Sequence, residues 1–571
     1  MTQATTPTSS HGILLTGAVM THPRRPGLSR RLLAAAPEGT LRRVADPDPA
    51  GPPTALRTAI RAWSAIAEGA THHLVLQDDA LPVEGFFDHA RAAVAAAPHA
   101  GIAFYTNWNS RNGAAVRLAA LAGRRWAAAT QEYTPTVALA LPAEIAAGFA
   151  EFAVAHGSTW PDDVVMARYL RAAGVPVLLV APNLVEHADE PSLLRNDSHG
   201  SRRSACFAAP PDGEWSLGSG PLDPDVIPFF KHNLAQCVVR SGGRRTTVEA
   251  ERYFGRAGLD FDACQKLRLE VTGSASDALA DLDQRLGEDA VEGLWTTAYL
   301  LGVLDRGHPR DQAGTLALST IGPGGLCTTV GASTLQELRP ALSGLAELGY
   351  EAGMRARRSP TRRRERILVT SAHRPLGREI GRHLADRGYQ VSTMDGEHPA
   401  VDAVIHVAEP GATIPSVAAR HVVWVCPPGA PVPAAAPGIS VLRTGSPYGP
   451  GIEGYSTVES FVRQALLAQP IESDVPAEAT HRLAYIRDIA LAVHHLLHQP
   501  APQRTVATPV PLTSRELVDA VARAVRPVPV TWPPPAPGPA DPPVVADEPA
   551  TDLDHGIRAL AQWLAYEKEE A

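Results

Sequence analysis

The chain has 571 residues, room for about three to four domains, so a single small module is excluded. Apolar residues make up 44% and charged residues 20%, ordinary globular usage that excludes wholesale disorder. Lys+Arg 52 against Asp+Glu 60 leaves a net charge of −8, and a mildly acidic chain lacks the broad basic field that attracts nucleic acid or anionic membranes.

Lys231, Lys266 and Lys568 are the only lysines, so arginine is a general habit of this chain and a single arginine carries little functional signal. Cys206, Cys237, Cys264, Cys327 and Cys426 are odd in number and widely spaced, which argues against a disulfide framework or a thiolate zinc site and fits a reducing cytoplasm. No basic stretch precedes the short apolar run Ile13–Met20, and nowhere do 18 apolar residues run together. The expectation is a cytoplasmic protein without a membrane span.

In chain order, Gly12–Val19 reads as a strand and Thr54–Glu68 as a helix with Leu56, Ile60, Trp63 and Ile66 on one face. His73–Gln77 is again strand-like. A helix near Gly85–Ala97, strands at Ile102–Thr106 and Thr136–Leu141, a helix at Asp162–Ala173 and a strand at Val175–Val180 continue the alternation. Residues 1–209 therefore form one α/β domain. The Pro-, Gly- and Asp-rich stretch Pro210–Gly220 is a boundary loop. Residues 221–355 read as a mainly helical connecting domain, clearest at Asp277–Leu286, Val291–Leu304 and Thr334–Leu348 and interrupted by a turn-rich Ile321–Gly325. Residues 356–365 are an Arg-rich linker, most simply solvated. Residues 366–571 return to β-α-β order, pass through a proline-dense stretch, Pro527–Pro543, and end in an amphipathic helix, Leu553–Tyr566.

The most chemically pointed segment is His73-Leu-Val-Leu-Gln-Asp-Asp-Ala80. A strand delivers two carboxylates to its C-terminal end, where ligands bind in open α/β sheets, and such a pair suits Mg²⁺ or Mn²⁺ together with substrate phosphates. The alternative is that Asp78 and Asp79 merely end the strand and shape the turn.

The helix at Pro53–Trp63, the Leu-Gln-Asp-Asp-Ala strand end, Trp160-Pro-Asp-Asp163 and Pro182-Asn-Leu-Val-Glu-His187 with Pro191-Ser-Leu193 come in an order that resembles GT-A glycosyltransferases over about residues 12–200. The resemblance implies a nucleoside-diphosphate sugar as donor and Mn²⁺ or Mg²⁺ at Asp79, with Asp78 sharing the metal or contacting sugar or ribose. It implies Asp162 or Asp163 as the base that deprotonates an acceptor hydroxyl or amine, and His187 as a further metal ligand. Arg24 and Arg25 are placed to fork onto a diphosphate. One departure stands out: the first acid of the usual aspartate-any-aspartate pattern is Gln77. Asp162 and Asp163 also have a bland role, because acids at a helix N-terminus favour the macrodipole without any catalysis.

In the last segment, Ile367-Leu-Val-Thr-Ser-Ala-His-Arg-Pro-Leu-Gly377 followed by a helix, a strand and Asp395 has the frame of a dinucleotide-binding βαβ unit. Val401–Ala408, Leu442–Gly451, Arg482–Ala490 and Thr551–Arg558 with Trp563 then follow the order of the extended short-chain dehydrogenase/reductase family, the sugar-nucleotide epimerases and dehydratases. That resemblance implies an NAD(P)-binding Rossmann domain with Gly377 and Asp395 at the cofactor. The catalytic pattern is absent: the tyrosine and the lysine four residues on cannot exist, since no lysine lies between Lys266 and Lys568. Of three turn glycines only Gly377 is present, which speaks against NAD(P). The fold class expected is α/β, two Rossmann-like domains (GT-A-like and epimerase-like) joined by a mainly helical middle. The expected function is glycosyl transfer by the first, with a redox-inactive binding or regulatory role for the last. Two rivals remain: an NAD(P)-dependent epimerase or reductase using an acid such as His373 or Cys426, and a non-catalytic scaffold.

Overall fold

The computed structural model describes residues 12–156, 160–188, 190, 200–210, 215–218, 220–241, 243–274, 277–356, 365–393, 401–408, 419–434, 436–534 and 551–568. It is a mixed α/β protein in two compact units. The first comprises Met1–Ala250 and Asp262–Ala356, the second Glu251–Phe261 and Arg357–Ala571.

The first unit is built on a seven-stranded sheet. Its strands are β1 (Leu15–Thr21), β2 (Leu41–Ala45), β3 (His72–Gln77), β5 (Gly101–Ala103), β6 (Trp126–Ala128), β7 (Ala138–Pro142) and β8 (Val177–Val180), in the order β2-β1-β3-β7-β5-β8-β6. The first three are mutually parallel, whereas β7 runs antiparallel to β3 and β5. All seven residues of β1 are buried, as a strand covered on both faces should be. A separate ribbon pairs β4 (Ala80–Pro82) antiparallel with β9 (Val185–His187), Ala80 opposite His187. That register sets the geometry of the site.

Helices α1 (Pro26–Ala35), α2 (Leu56–Trp63), α3 (Phe86–Ala96), α4 (Arg111–Leu121), α5 (Ala143–His156) and α6 (Asp162–Ala172) flank the sheet. The helix expected over Thr54–Glu68 stops at Trp63, where Ser64 Oγ donates to the Ile60 carbonyl. The unforeseen α4 is buried all round. Arg117 spans to Thr320, its Nε 2.9 Å from Oγ1 and one terminal nitrogen 2.9 Å from the carbonyl.

The middle stretch, expected to be mainly helical, opens with an antiparallel sheet: β10 (Val226–Lys231), β11 (Leu234–Ser241) and β12 (Arg244–Glu249). The β10–β11 hairpin turns on His232 and Asn233, both at positive φ, the backbone that a two-residue hairpin needs and that glycine usually supplies. Next come α7 (Ala250–Ala257), α8 (Phe261–Ser274), α9 (Asp277–Leu286), α10 (Glu288–Leu304), α11 (Gln312–Ser319), α12 (Ile321–Leu326) and α13 (Ala332–Met354). The supposed turn at Ile321–Gly325 is the buried helix α12. Its glycines serve packing: a Cβ at Gly325 would fall 2.0 Å from the Phe230 ring.

The second unit carries a six-stranded, wholly parallel sheet. It comprises β13 (Arg366–Val369), β14 (Gln390–Thr393), β15 (Val401–Val407), β16 (Ala419–Cys426), β17 (Ile439–Thr444) and the strand Gln503–Val506, in the order β14-β13-β15-β16-β17 and then Gln503–Val506. Helices α14 (Pro375–Asp386), α15 (Thr457–Leu466), α16 (Ile486–His498), α17 (Ser514–Ala524) and α18 (Leu553–Tyr566) complete it. Strand order reverses between β13 and β15, the switch point at which such sheets bind ligands. Among the described residues no helix is long and apolar enough to cross a membrane.

Candidate functional site

The acids that end β3 lie in the first unit, Asp78 half-buried and Asp79 only 6% exposed. The β4–β9 ribbon folds back over them and sets His187 Nε2 3.4 Å from Asp79 Oδ2. From the loop after β1, Arg25 reaches the same oxygen at 3.4 Å and Asp78 Oδ1 at 4.0 Å. Its neighbour Arg24 is exposed. Burial alone would raise the Asp79 pKa, but the His187 hydrogen bond and the charges of His187, Arg202 and Arg25 bring it below the usual carboxylate range. Burial and the Asp79 charge push Asp78 the other way, to about 6.

Two buried atoms there have no partner, Asp79 Oδ1 and His187 Nδ1. Buried polar atoms are nearly always satisfied; the two residues meet through Oδ2 and Nε2, and the atoms left open are the other carboxylate oxygen and the other ring nitrogen, both of a type that binds divalent cations. Among the described residues no three His, Cys, Asp or Glu side chains converge on a position that could hold a metal ion. The Tyr105 ring lies over His187, centroids 6.0 Å apart, and its hydroxyl donates to the Arg202 carbonyl at 2.6 Å. Trp108 donates likewise to Ser201 at 2.7 Å. These aromatics from the β5 end therefore hold the 201–202 backbone beside the acids.

Asp162 and Asp163 open α6. Thr136, just before β7, donates to Asp162 Oδ2 at 3.2 Å and accepts from Gln77 Nε2 at 3.3 Å. Asp163 turns to its own helix, accepting from the Val164 N–H at 2.8 Å. Burial raises both carboxyl pKa values, and for Asp163 the Asp162 and Glu132 charges add to it. The two acidic groups that sequence order only juxtaposed are thus joined through Gln77 and Thr136. Neither Thr136 nor the Gln77 contact was foreseen, because both depend on the antiparallel β3–β7 register that sets Leu76 opposite Ala138.

In the second unit the β13–α14 turn is tight: a Cβ on Gly377 would lie 2.2 Å from the Ser371 carbonyl oxygen. Ser371 Oγ donates to the Val407 carbonyl at 3.1 Å. Arg374 precedes α14 and is exposed, as is His373. Asp395 and Pro191-Ser-Leu193 lie outside the described residues. Cys426 is buried against the Pro431 carbonyl at 3.5 Å, and burial pushes its thiol up to about 11. Tyr448 is 3% exposed, and burial drives its phenol far above the ordinary range.

No family model and no curated protein matches the chain. Solved structures similar to part of it include the Thermus thermophilus UDP-glucose 4-epimerase in complex with NAD, at 18% identity and TM-score 0.27 over 34% of this chain and 97% of that one. RMD from Pseudomonas aeruginosa complexed with NADPH is 15% identical, with TM-score 0.27 over 35% and 97%. The Bordetella bronchiseptica enzyme WbmF in complex with NAD⁺ is 14% identical, with TM-score 0.27 over 35% and 92%.

Proposed function

We propose that the first unit acts on a nucleoside-diphosphate sugar and transfers its glycosyl group to an acceptor hydroxyl or amine. The observation that carries this reading is the β4–β9 ribbon, which brings His187 to the Asp79 carboxylate that Arg25 also contacts and leaves Asp79 Oδ1 and His187 Nδ1 buried without a hydrogen-bond partner. Asp79 and His187 would hold Mn²⁺ or Mg²⁺, which supplies charge neutralisation of a departing diphosphate when bound. Arg25 adds a fixed guanidinium that neutralises the same charge. On the acceptor side a carboxylate on α6 takes the nucleophile's proton. Burial raises the Asp162 carboxyl pKa, which makes its carboxylate a stronger base.

The test is calorimetric titration of the full chain with a panel of nucleoside diphosphates, with and without Mn²⁺, repeated on Asp79→Ala. Binding that strengthens with Mn²⁺ and disappears in the variant supports the reading; a wild-type chain that binds none of the panel overturns it.

A second reading has its own observation. The six-stranded parallel sheet of the second unit presents a tight turn and a helix N-terminus at its switch point, the frame of NAD(P)-dependent epimerases and reductases. We favour a binding role over hydride transfer there, because Cys426 and Tyr448 are buried and hard to ionise and His373 is exposed.

A further inference from the structure

We infer that Gln77 is a positioning residue: through Thr136 it orients one proton toward Asp162 and so makes Asp162, rather than Asp163, the acceptor-side base. The inference rests on the transferase reading and deepens it.

An amide nitrogen only donates, and Gln77 Nε2 lies 3.3 Å from Thr136 Oγ1. A hydroxyl has a single proton to give. With its oxygen accepting from Gln77, Thr136 sends that proton to Asp162 Oδ2, 3.2 Å away. The chain therefore runs one way, from amide to hydroxyl to carboxylate, and each bond polarises the next. The donated hydrogen bond favours the ionised form of Asp162 and works against burial, which raises its pKa. Asp163 lies outside this chain, since the one Thr136 proton goes to Asp162; Asp163 Oδ1 accepts instead from the Val164 N–H. The charged groups that bear on the pair are the two aspartates on each other and Glu132, which accepts from the Asn112 N–H at 3.1 Å. All are acids and oppose ionisation of the pair; at Asp162 ionisation is favoured by the backbone N–H groups of Asp162 and Asp163 and by one side chain, Thr136.

This gives a physical reason for an amide where an acid is usual. A carboxylate at position 77 would compete for the Thr136 proton. The hydroxyl would then present lone pairs to Asp162, which would lose its donor and gain a further like charge nearby. A reversed amide, with Oε1 toward Thr136, would compete in the same way.

The experiment is a double-mutant cycle on the full chain: wild type, Gln77→Glu, Thr136→Val and the pair, each also made with Asp162→Asn. The titration of Asp162 is read as the difference in melting temperature between each background and its Asp162→Asn partner from pH 5 to 9. Gln77→Glu should move the Asp162 midpoint upward by about one pH unit. In the Thr136→Val background that displacement should shrink to less than about a third, because the relay is already cut. Thr136→Ser should keep the wild-type midpoint. Equal displacements in the wild-type and Thr136→Val backgrounds would show a through-space charge effect and overturn the relay, as would no displacement at all. Should Thr136→Val not fold, Thr136→Ala takes its place. Calorimetry with nucleoside diphosphates on the same proteins separates the two ideas: binding retained with an additive cycle removes the relay alone, whereas no binding by the wild type removes the transferase reading and with it the role of Asp162 as a base.

Discussion

His187 Nε2 lies 3.4 Å from Asp79 Oδ2, although 108 positions separate the two residues. The distance follows from one backbone register, Ala80 opposite His187 in a two-stranded ribbon. The Ala188 N–H also donates to the Asp79 carbonyl at 2.8 Å, so the ribbon is pinned at the acid itself. A slip of one residue would turn His187 to the other face.

The first prediction concerns that pair. Asp79→Ala and His187→Ala should each weaken Mn²⁺-dependent nucleoside-diphosphate binding by about 10- to 100-fold or more. Arg25→Ala should weaken binding by about tenfold or more whether or not metal is added, because it removes charge and not a metal ligand. Calorimetry at fixed pH, with and without Mn²⁺, distinguishes the two patterns. Equal losses in both conditions for all three variants would contradict the division of roles.

The second concerns stability at Asp162 and Asp163. Asp163 has its pKa raised in the folded chain by burial and by Asp162. A carboxyl with a raised folded value binds its proton more tightly when folded, so stability falls as pH rises from the unfolded value, about 3.9, through the folded one. At pH 8 the full penalty is present. Asp163→Asn should therefore unfold at higher denaturant concentration than wild type at pH 8, and the gain should vanish near pH 4. The amide still accepts from the Val164 N–H, so no hydrogen bond is lost. If Asp162 is the base, this variant also retains transfer.

These acids show how far the sequence could be read. Helix α6 was legible because Trp-Pro-Asp-Asp is a start signal, with acids in the first turn of an amphipathic run. The C-terminal helix Leu553–Tyr566 was placed on its full range for a similar reason, with Asp552 capping it. Helix α4 was not legible: it is buried on every side and places Arg111, Asn112 and Arg117 inside, where each donates to a backbone carbonyl, so it shows no polar face. The β10–β11 hairpin was missed because its turn is Lys-His-Asn-Leu, without the glycine that marks such turns. Within the site, the order of motifs suggested that Asp79 and His187 meet. The link from Gln77 to Asp162 stayed hidden, since pairing between β3 and β7 is non-local.

The third prediction concerns the junction of α7 with α14. The Asp386 carboxylate takes Arg252 Nε at 2.8 Å and also Arg256, while Glu251 takes Arg387 at 2.9 Å and Arg487 at 3.2 Å. A Cβ at Gly255 would fall 2.2 Å from the Asp386 carbonyl oxygen. Backbone cannot yield as a flexible side chain can, so Gly255→Ala should destabilise the second unit by about 1–3 kcal/mol. Asp386→Asn, which leaves two arginines without their counter-charge, should cost about 3–5 kcal/mol. Denaturant unfolding measures both, and an unchanged midpoint for either would contradict the packing described.

The fourth concerns pH in the same region. His383 is buried, its Nδ1 has no partner, and burial with the charges of Arg252, Arg387, Arg487 and Arg256 holds its pKa well below the ordinary value. The folded chain keeps it neutral while the unfolded chain protonates it below about 6.5. Stability from this group is therefore complete above that pH and falls as pH drops, by up to about 1.4 kcal/mol per unit. His383→Gln should flatten the slope between pH 6.5 and 5, and a slope that persists would assign it elsewhere.

The last prediction separates the two units chemically. Hydride transfer in an epimerase-type site needs a general acid/base beside the nicotinamide. The side chains that could replace the missing tyrosine and lysine are poorly suited: Cys426 is tied to the Pro431 carbonyl, and Tyr448 is packed against Gly556 and Tyr485 with its phenol hard to ionise. Incubation with NAD⁺ or NADPH and a panel of nucleoside-diphosphate sugars should leave the nicotinamide absorbance at 340 nm unchanged, while donor binding at the first unit persists. An epimerase that returns its hydride to the same substrate would also leave absorbance unchanged, so the assay must include chromatography of the sugar nucleotides. A new epimer that disappears in a Gly377→Val variant, whose side chain would collide with the Ser371 carbonyl, would transfer the chemistry to the second unit. Unchanged sugars together with retained donor binding leave it with the first.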